Sequence, residues 1–323
     1  MSKIIDPSLF HRNRSAFFGS EKQTETSGSD TPVNENGERA GALYVIASAV
    51  LFGLMPLLAK IAYADGANAS TAVFGRFLTG SAMAFAYLRC KGEPLRLGRR
   101  QMGEIVFLSV FYALTPMLLY LSYGFIGSGL ATTLLFTYPV AVMCLMGLFF
   151  RARFSPRQMC CAALCAAGIF LLYRPGQSAD GFGMALAAVS GLLYAGYIIV
   201  LGHSHLRGVG IFVLTFWISL SSALMIGVFA VLTGSLAWNQ GAAAWASEAG
   251  LGLLATMLAL GFFQKGLFLC GEVKASLLST FEPLTSIAVG LAVYGEPMTP
   301  RLAAGMALIL LSSVLLVLGR SRT

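Results

Sequence analysis

Beyond residue 40 the chain is a succession of apolar runs of 18 to 25 residues, joined by short connections. Ten can be counted, at 41–62, 69–89, 103–124, 127–149, 157–174, 181–202, 209–233, 249–271, 275–294 and 301–319. At ~1.5 Å of rise per residue, a helix of that length crosses the ~30 Å hydrocarbon layer of a bilayer. In hydrocarbon every backbone N–H and C=O must find a partner, and only a helix does so within one segment. The pattern therefore predicts an all-α polytopic membrane protein with ten transmembrane helices. Composition agrees: 57% of residues are hydrophobic and only 11% charged, too little charge to cover a soluble chain of this size. Pro56, Pro116, Pro139 and Pro283 fall inside runs, where a proline kinks a helix and frees carbonyls that need other partners.

Residues 1–40 are different in kind. They are rich in Ser, Thr, Glu, Asn and Gly and hold six acidic and five basic side chains. No apolar stretch follows the early basic residues as a signal peptide would require, and the segment reads as a disordered cytoplasmic tail. The net charge of +8 does not describe a nucleic-acid surface, because the basic residues lie in small clusters between runs. With the tail cytoplasmic, Arg89, Lys91, Arg96, Arg99, Arg100, Arg151, Arg153, Arg157, Arg207, Lys274, Arg320 and Arg322 share its side, against Lys60, Arg174 and Arg301 on the other. That asymmetry follows the positive-inside rule and puts both termini in the cytoplasm. The expected location is the plasma membrane, or the inner membrane of a Gram-negative cell. The six cysteines contain no CxxC pair, and neither a disulfide framework, a metal site nor a cofactor is expected.

The second half echoes the first. A shift of 144 residues places Gly127 on Gly271, Ala131 on Ala275, Leu134 on Leu278, Pro139 on Pro283, and Ser155-Pro156-Arg157 on Thr299-Pro300-Arg301. A slightly different shift places Gly41 on Gly183 and Phe52 on Tyr194. Each copy has five spans, an odd number, so the copies must insert with opposite topology. Inverted repeats of this kind mark secondary transporters, whose site lies near the midplane between the halves. The expected organisation is a tail (1–40) and two five-helix repeats (41–176 and 177–323) around a central cavity.

The residues also resemble a known family. Phe52-Gly53, Arg76-Phe77, Gly129-Leu130-Ala131 leading to Pro139, Ala275-Ser276-Leu277-Leu278 leading to Glu282-Pro283, and Gly295-Glu296-Pro297 before Thr299 are similar to the ten-helix EamA-type proteins of the drug/metabolite transporter superfamily. The first copy departs from the pattern at Phe150-Arg151-Ala152-Arg153, where an acidic residue is usual. The resemblance runs from about Gly41 to Leu318. It implies two inverted bundles, alternating access and the movement of a small metabolite, without fixing the cargo.

Few polar groups lie deep in the spans. An ionised group there costs ~2.5 kcal/mol or more and needs a partner, water or a function. Glu282 has Leu278, Ser279, Thr285 and Ser286 at helical spacing, a polar face suited to a cavity; it serves either as a proton-carrying carboxylate or as a brace for the Pro283 kink. Lys265, at a matching depth on the preceding span, is the expected ion-pair partner, with snorkelling to the near interface as the alternative. Arg76 offers a guanidinium fork for a substrate carboxylate or phosphate, or for carbonyls freed by a proline. Tyr112, Tyr120, Tyr138, Tyr194, Tyr197, Trp217 and Gln264 complete the candidates, as apolar bodies with polar tips. The function expected is secondary transport of a small polar metabolite, with export of amino acids or related compounds favoured. A membrane sensor or scaffold without flux, or an integral-membrane transferase, stands as the alternative. The partners expected are the lipid bilayer and a small-molecule substrate, with a homodimer left open.

Overall fold

The computed structural model describes residues 35–122, 124–126, 128–172, 180–294 and 298–318. Of the tail expected at 1–40, residues 1–34 lie outside the described residues, as do 174–176, the Gly295-Glu296-Pro297 segment and Arg320 and Arg322, while residues 35–40 are helical and begin the first span. In chain order the helices are α1 (Glu35–Gly53), α2 (Met55–Ala64), α3 (Ala69–Lys91), α4 (Arg99–Ser122), α5 (Ser128–Leu135), α6 (Tyr138–Phe150), α7 (Pro156–Leu172), α8 (Gly181–Gly202), α9 (Ile211–Leu232), α10 (Ala242–Leu251), a π-helical stretch (Gly252–Ala259), α11 (Leu260–Cys270), α12 (Glu272–Leu278), α13 (Phe281–Tyr294) and α14 (Pro300–Leu318). Among the described residues they compose ten spans. Eight are long and apolar enough to cross a membrane, and Pro156–Leu172 is a shorter apolar helix. The remaining span, α3, is 23 residues long and carries Arg76, Arg89 and Lys91. The protein is an all-α polytopic membrane protein.

The first, fourth and ninth spans are each two helices. The breaks fall at Leu54, at Phe136-Thr137 and at Ser279-Thr280. Pro56, Pro139 and Pro283 then sit in the first turn of the resumed helix, where a missing N–H costs little because that donor has no intrahelical acceptor. Pro116, by contrast, lies within the continuous α4. Side-chain hydroxyls add a second bond to carbonyls at the breaks that also accept a backbone N–H: Thr137 Oγ1 donates to Leu134 O (2.7 Å), Thr280 Oγ1 to Leu277 O (2.6 Å) and Ser279 Oγ to Ala275 O (2.9 Å). The repeat is legible in the capping as well. The Ser155 hydroxyl accepts from Gln158 N (3.2 Å) at the start of α7, and the Thr299 hydroxyl accepts from Leu302 N (3.2 Å) at the start of α14.

Helix pairing obeys the inverted symmetry. The third span packs on the sixth and, five spans later, the eighth packs on the first. The fourth lies against the sixth and the ninth against the first. The second pairs with the seventh and the fifth with the tenth, so that exchanging the halves returns each of these pairs to itself. The fifth and tenth spans meet at two glycines. A Cβ on Gly168 would be 2.9 Å from Gly305 O, and one on Gly305 would be 2.9 Å from Gly168 O. Such contact lets two backbones gain van der Waals attraction that lipid cannot match. Across the same seam Ser312 Oγ donates to Cys161 O (2.8 Å) and Arg301 Nε to Leu171 O (3.1 Å).

One end of the bundle is basic and tied by ions. Lys274 pairs with Glu38, joining the ninth span to the first. Arg100, Glu104 and His205 form a cluster, and His203 faces Glu272 at 3.3 Å while stacking on Phe150. At the far end, by contrast, Phe125 meets Phe182 edge to face with ring centres 5.1 Å apart.

Gly168→Val is expected to lower the thermal unfolding midpoint of the purified protein, with a loss of ~1–3 kcal/mol from overpacking. Gly103→Ala, at a helical position where an added Cβ meets nothing within 4 Å, is expected to leave the midpoint unchanged or raise it slightly. Equal behaviour of the two variants in a thermal melt would contradict the close crossing.

Candidate functional site

Arg76 projects from the middle of the far-end half of α3 and is 4% exposed. Its contacts are weak for a buried cation. Nη1 reaches Met55 Sδ at 3.5 Å, the guanidinium lies 4.7 Å from the Phe77 ring centre, and Nε has no hydrogen-bond partner. Glu282 stands in the first turn of α13, directly after the break in the ninth span. Arg76 is the cation whose field reaches it. No salt bridge within 4.0 Å joins the two, and the Glu282 carboxylate makes no hydrogen bond among the described residues. A guanidinium and a titratable carboxyl group are thus held within electrostatic reach without direct contact.

Four tyrosines surround them. Tyr112, Tyr120, Tyr138 and Tyr194 lie within electrostatic reach of Glu282, and Tyr112 and Tyr120 within that of Arg76. The Tyr112 hydroxyl lies beside the guanidinium and the Tyr138 hydroxyl beside Ser279, yet both are buried without a hydrogen bond of good geometry. Tyr138 meets Tyr194 edge to face (4.8 Å), Tyr194 stacks parallel to Tyr197 (6.0 Å) and Tyr197 lies 5.1 Å from Tyr112. Behind this layer Gln264 is held by both ends, accepting from Thr215 Oγ1 (2.9 Å) and donating to Tyr197 Oη (3.2 Å). The cluster draws on the second, third, fourth, sixth, eighth and ninth spans and so lies between the halves. Two of the broken spans deliver Tyr138 and Glu282, and Met55 follows the break in a third.

Two expected members stand elsewhere. Lys265 is exposed, donates to Tyr44 Oη (2.7 Å) and lies 4.3 Å from the Tyr44 ring centre. The depth expected for it was that of Glu282, but successive helix residues point ~100° apart. Because Gln264 faces the interior, Lys265 is turned towards α1. Trp217 braces the basic end, its Nε1 donating to Leu95 O (3.0 Å). A separate cavity of about 410 Å³ lies beside the break in the fourth span, lined by residues such as Leu134, Pro139 and Ile169; it offers a polar solute almost nothing to bond.

One buried carboxylate escaped the sequence reading. Glu248 is fully buried in α10, one residue before the expected start of the eighth span at 249. The apolar run can be extended to Ala242 only by admitting a charge, and the window of uninterrupted apolar residues had stopped short of it.

A model of the EamA-like transporter family matches residues 39–174 and again residues 181–318. Among curated proteins, an uncharacterized transporter of Synechocystis sp. is 28% identical over 211 residues, covering 62% of this chain and 62% of that protein. The chain therefore matches less than two thirds of that relative's length. A solved crystal structure superposes with a TM-score of 0.71 at 17% identity, over 85% of this chain and 95% of the other, which is a likeness of fold. The two family matches coincide with the two inverted halves and together take in almost every described residue: the chain belongs to the EamA-like transporter family.

Proposed function

We propose that the protein is a secondary transporter that carries an amino acid or a related zwitterion by alternating access, with Arg76 and Glu282 as the poles of its site. The observation that carries this reading is the pair of opposite, unbonded charges. A buried cation left with a thioether and a ring face, and a carboxylate left with no donor, are each expensive unless a ligand completes them. An amino acid supplies both complements at once, its carboxylate for the guanidinium and its ammonium for Glu282. The free hydroxyls of Tyr112 and Tyr138 would add hydrogen bonds, and the aromatic faces would accept an apolar side chain. The family match and the name of the Synechocystis relative support transport as the activity. The distribution of basic residues supports a plasma-membrane location with both termini in the cytoplasm.

Alternation draws support from the symmetry. The breaks that precede Tyr138-Pro139 and Glu282-Pro283 are related by the repeat, and discontinuous helices at a repeat interface are where transporters place their sites. The two ends close by different means, ionic at Lys274–Glu38 and apolar at Phe125–Phe182. Each contact joins a broken span, or the turn before it, to the first helix of one half, so release of either would uncover the same site from one side.

In proteoliposomes containing only this protein, counterflow of at least one amino acid is expected to exceed that in empty vesicles. A broad panel of zwitterions, anions and cations that all cross no faster than in empty vesicles would overturn the reading. Arg76→Ala is expected to lower transport by about tenfold or more, equivalent to ~1.4 kcal/mol. Arg76→Lys should fail to restore it, since an ammonium cannot reproduce the fork that grips a carboxylate. Full rescue by lysine would reduce Arg76 to a point charge. Glu282→Gln is expected to flatten the pH dependence of transport while the protein stays folded; an unchanged profile would assign Glu282 to bracing the break.

A further inference from the structure

Glu248 plays no part in the site described above, and its surroundings are unlike those of any other carboxylate in the described residues. It is fully buried, and its Oε2 fills the space that the missing side chain of Gly75 leaves on α3, where any Cβ would collide with it. Its backbone carbonyl is 3.0 Å from Thr79 Oγ1, which also lies 2.7 Å from Gly75 O. One turn further in, a Cβ on Gly80 would be 2.8 Å from Gly252 O. From Gly75 to Gly80, therefore, α3 and the eighth span are in backbone-close contact, with the carboxyl group sealed between them.

Among the described residues its only side-chain partner is an amide. Gln240 Nε2 donates to Glu248 Oε1 at 3.1 Å, while Glu248 Oε2 and Gln240 Oε1 are both buried without a partner. The charged and titratable groups on the packed elements do not compensate it. On α2 and the turn after it these are Lys60, Tyr63 and Asp65, and on α3 they are Arg76, Tyr87, Arg89, Cys90 and Lys91. Asp65 accepts from Ala244 N (2.9 Å) at the start of α10, adding a second negative group near by rather than a counter-charge. Arg76 turns to Met55, Phe77 and Tyr112. Arg89 and Lys91 lie in the last turn of α3, at the basic end. No ion pair with Glu248 occurs among the described residues.

A sealed carboxylate with one neutral donor and no cation is strongly disfavoured, and the neutral acid is the form such a site holds. The acid also supplies what the site lacks. If the Gln240 amide turns over, its oxygen takes the place of its nitrogen 3.1 Å from the carboxyl, and a protonated Glu248 gives that orphaned acceptor a hydrogen. We propose that Glu248 is a proton-binding site of the closed state, protonated while α3 and the eighth span are sealed together and ionised when they part and water reaches it. Proton uptake at Glu248 then accompanies closure of this seam, and release accompanies its opening. The proposal rests on the transport reading only in supposing that the seam opens during function; the protonation itself does not depend on any solute being carried.

The test is infrared spectroscopy of the full chain in lipid nanodiscs at neutral pH. The difference between wild type and Glu248→Gln is expected to show the carbonyl stretch of one protonated carboxyl group, and that band should persist in Glu282→Gln. Its absence from the wild-type difference spectrum would mean an ionised Glu248 and would overturn the proposal. In the second arm, Gly80→Val wedges the seam, and in protein that remains monodisperse the Glu248 band is expected to fall at least severalfold. A band that survives the wedge unchanged would break the link between closure and protonation. If no solute is transported in proteoliposomes but the band behaves as expected, it is the transport reading that fails and not the proton site.

Discussion

A helix can stop inside hydrocarbon only where other groups take over the carbonyls it leaves open. Everything distinctive about this protein follows from three places where that condition is met. At Leu54, Phe136-Thr137 and Ser279-Thr280 the chain breaks within a span and resumes with a proline in the next first turn. Threonine and serine hydroxyls, one residue type away from the apolar norm, cover carbonyls at the last two. Ser286 Oγ adds a bond across spans, lying 3.0 Å from Gly53 O at the end of α1. The breaks are therefore held by packing between the halves, and the halves in turn meet where the breaks are.

That arrangement brings charge to a depth that neither half could sustain alone. Glu282 is presented at the start of a resumed helix, where the helix dipole favours a negative group. Arg76 comes from an unbroken helix of the other half. The aromatic cluster beside them leaves both groups without a direct ion pair, and the Gln264–Tyr197 bond fixes Tyr197 from behind. An ion pair in direct contact would be satisfied and closed to ligands. Held apart, the two groups stay unsatisfied, which is the condition for a site that must both bind and release.

The sequence was most informative about depth and least about direction. Run lengths, prolines and the 144-residue repeat located ten spans, the inverted halves and the break that carries Glu282. Even the capping equivalence of Ser155 and Thr299 was visible as a repeated Ser/Thr-Pro-Arg. Azimuth was not. Lys265 and Gln264 are neighbours at one depth, and no periodic apolar pattern around them says which faces inward, because a helix surrounded by lipid and protein is apolar on every side. The structure turns Gln264 in and Lys265 out to Tyr44. Trp217 fails for the same reason, its indole serving Leu95 at the basic end. Glu248 was missed because charge was used to end a span, so a charge buried inside one could only be read as a boundary.

The most direct measurement of the central claim is equilibrium binding to the purified protein in nanodiscs, comparing amino acids with analogues that lack one charge. The account predicts that removing either the carboxylate or the ammonium weakens binding by about tenfold or more, ~1.4 kcal/mol each. It further predicts that Arg76→Ala erases the preference for the carboxylate and Glu282→Gln the preference for the ammonium. Analogues that bind as tightly as the zwitterion, with preferences untouched by either substitution, would contradict it.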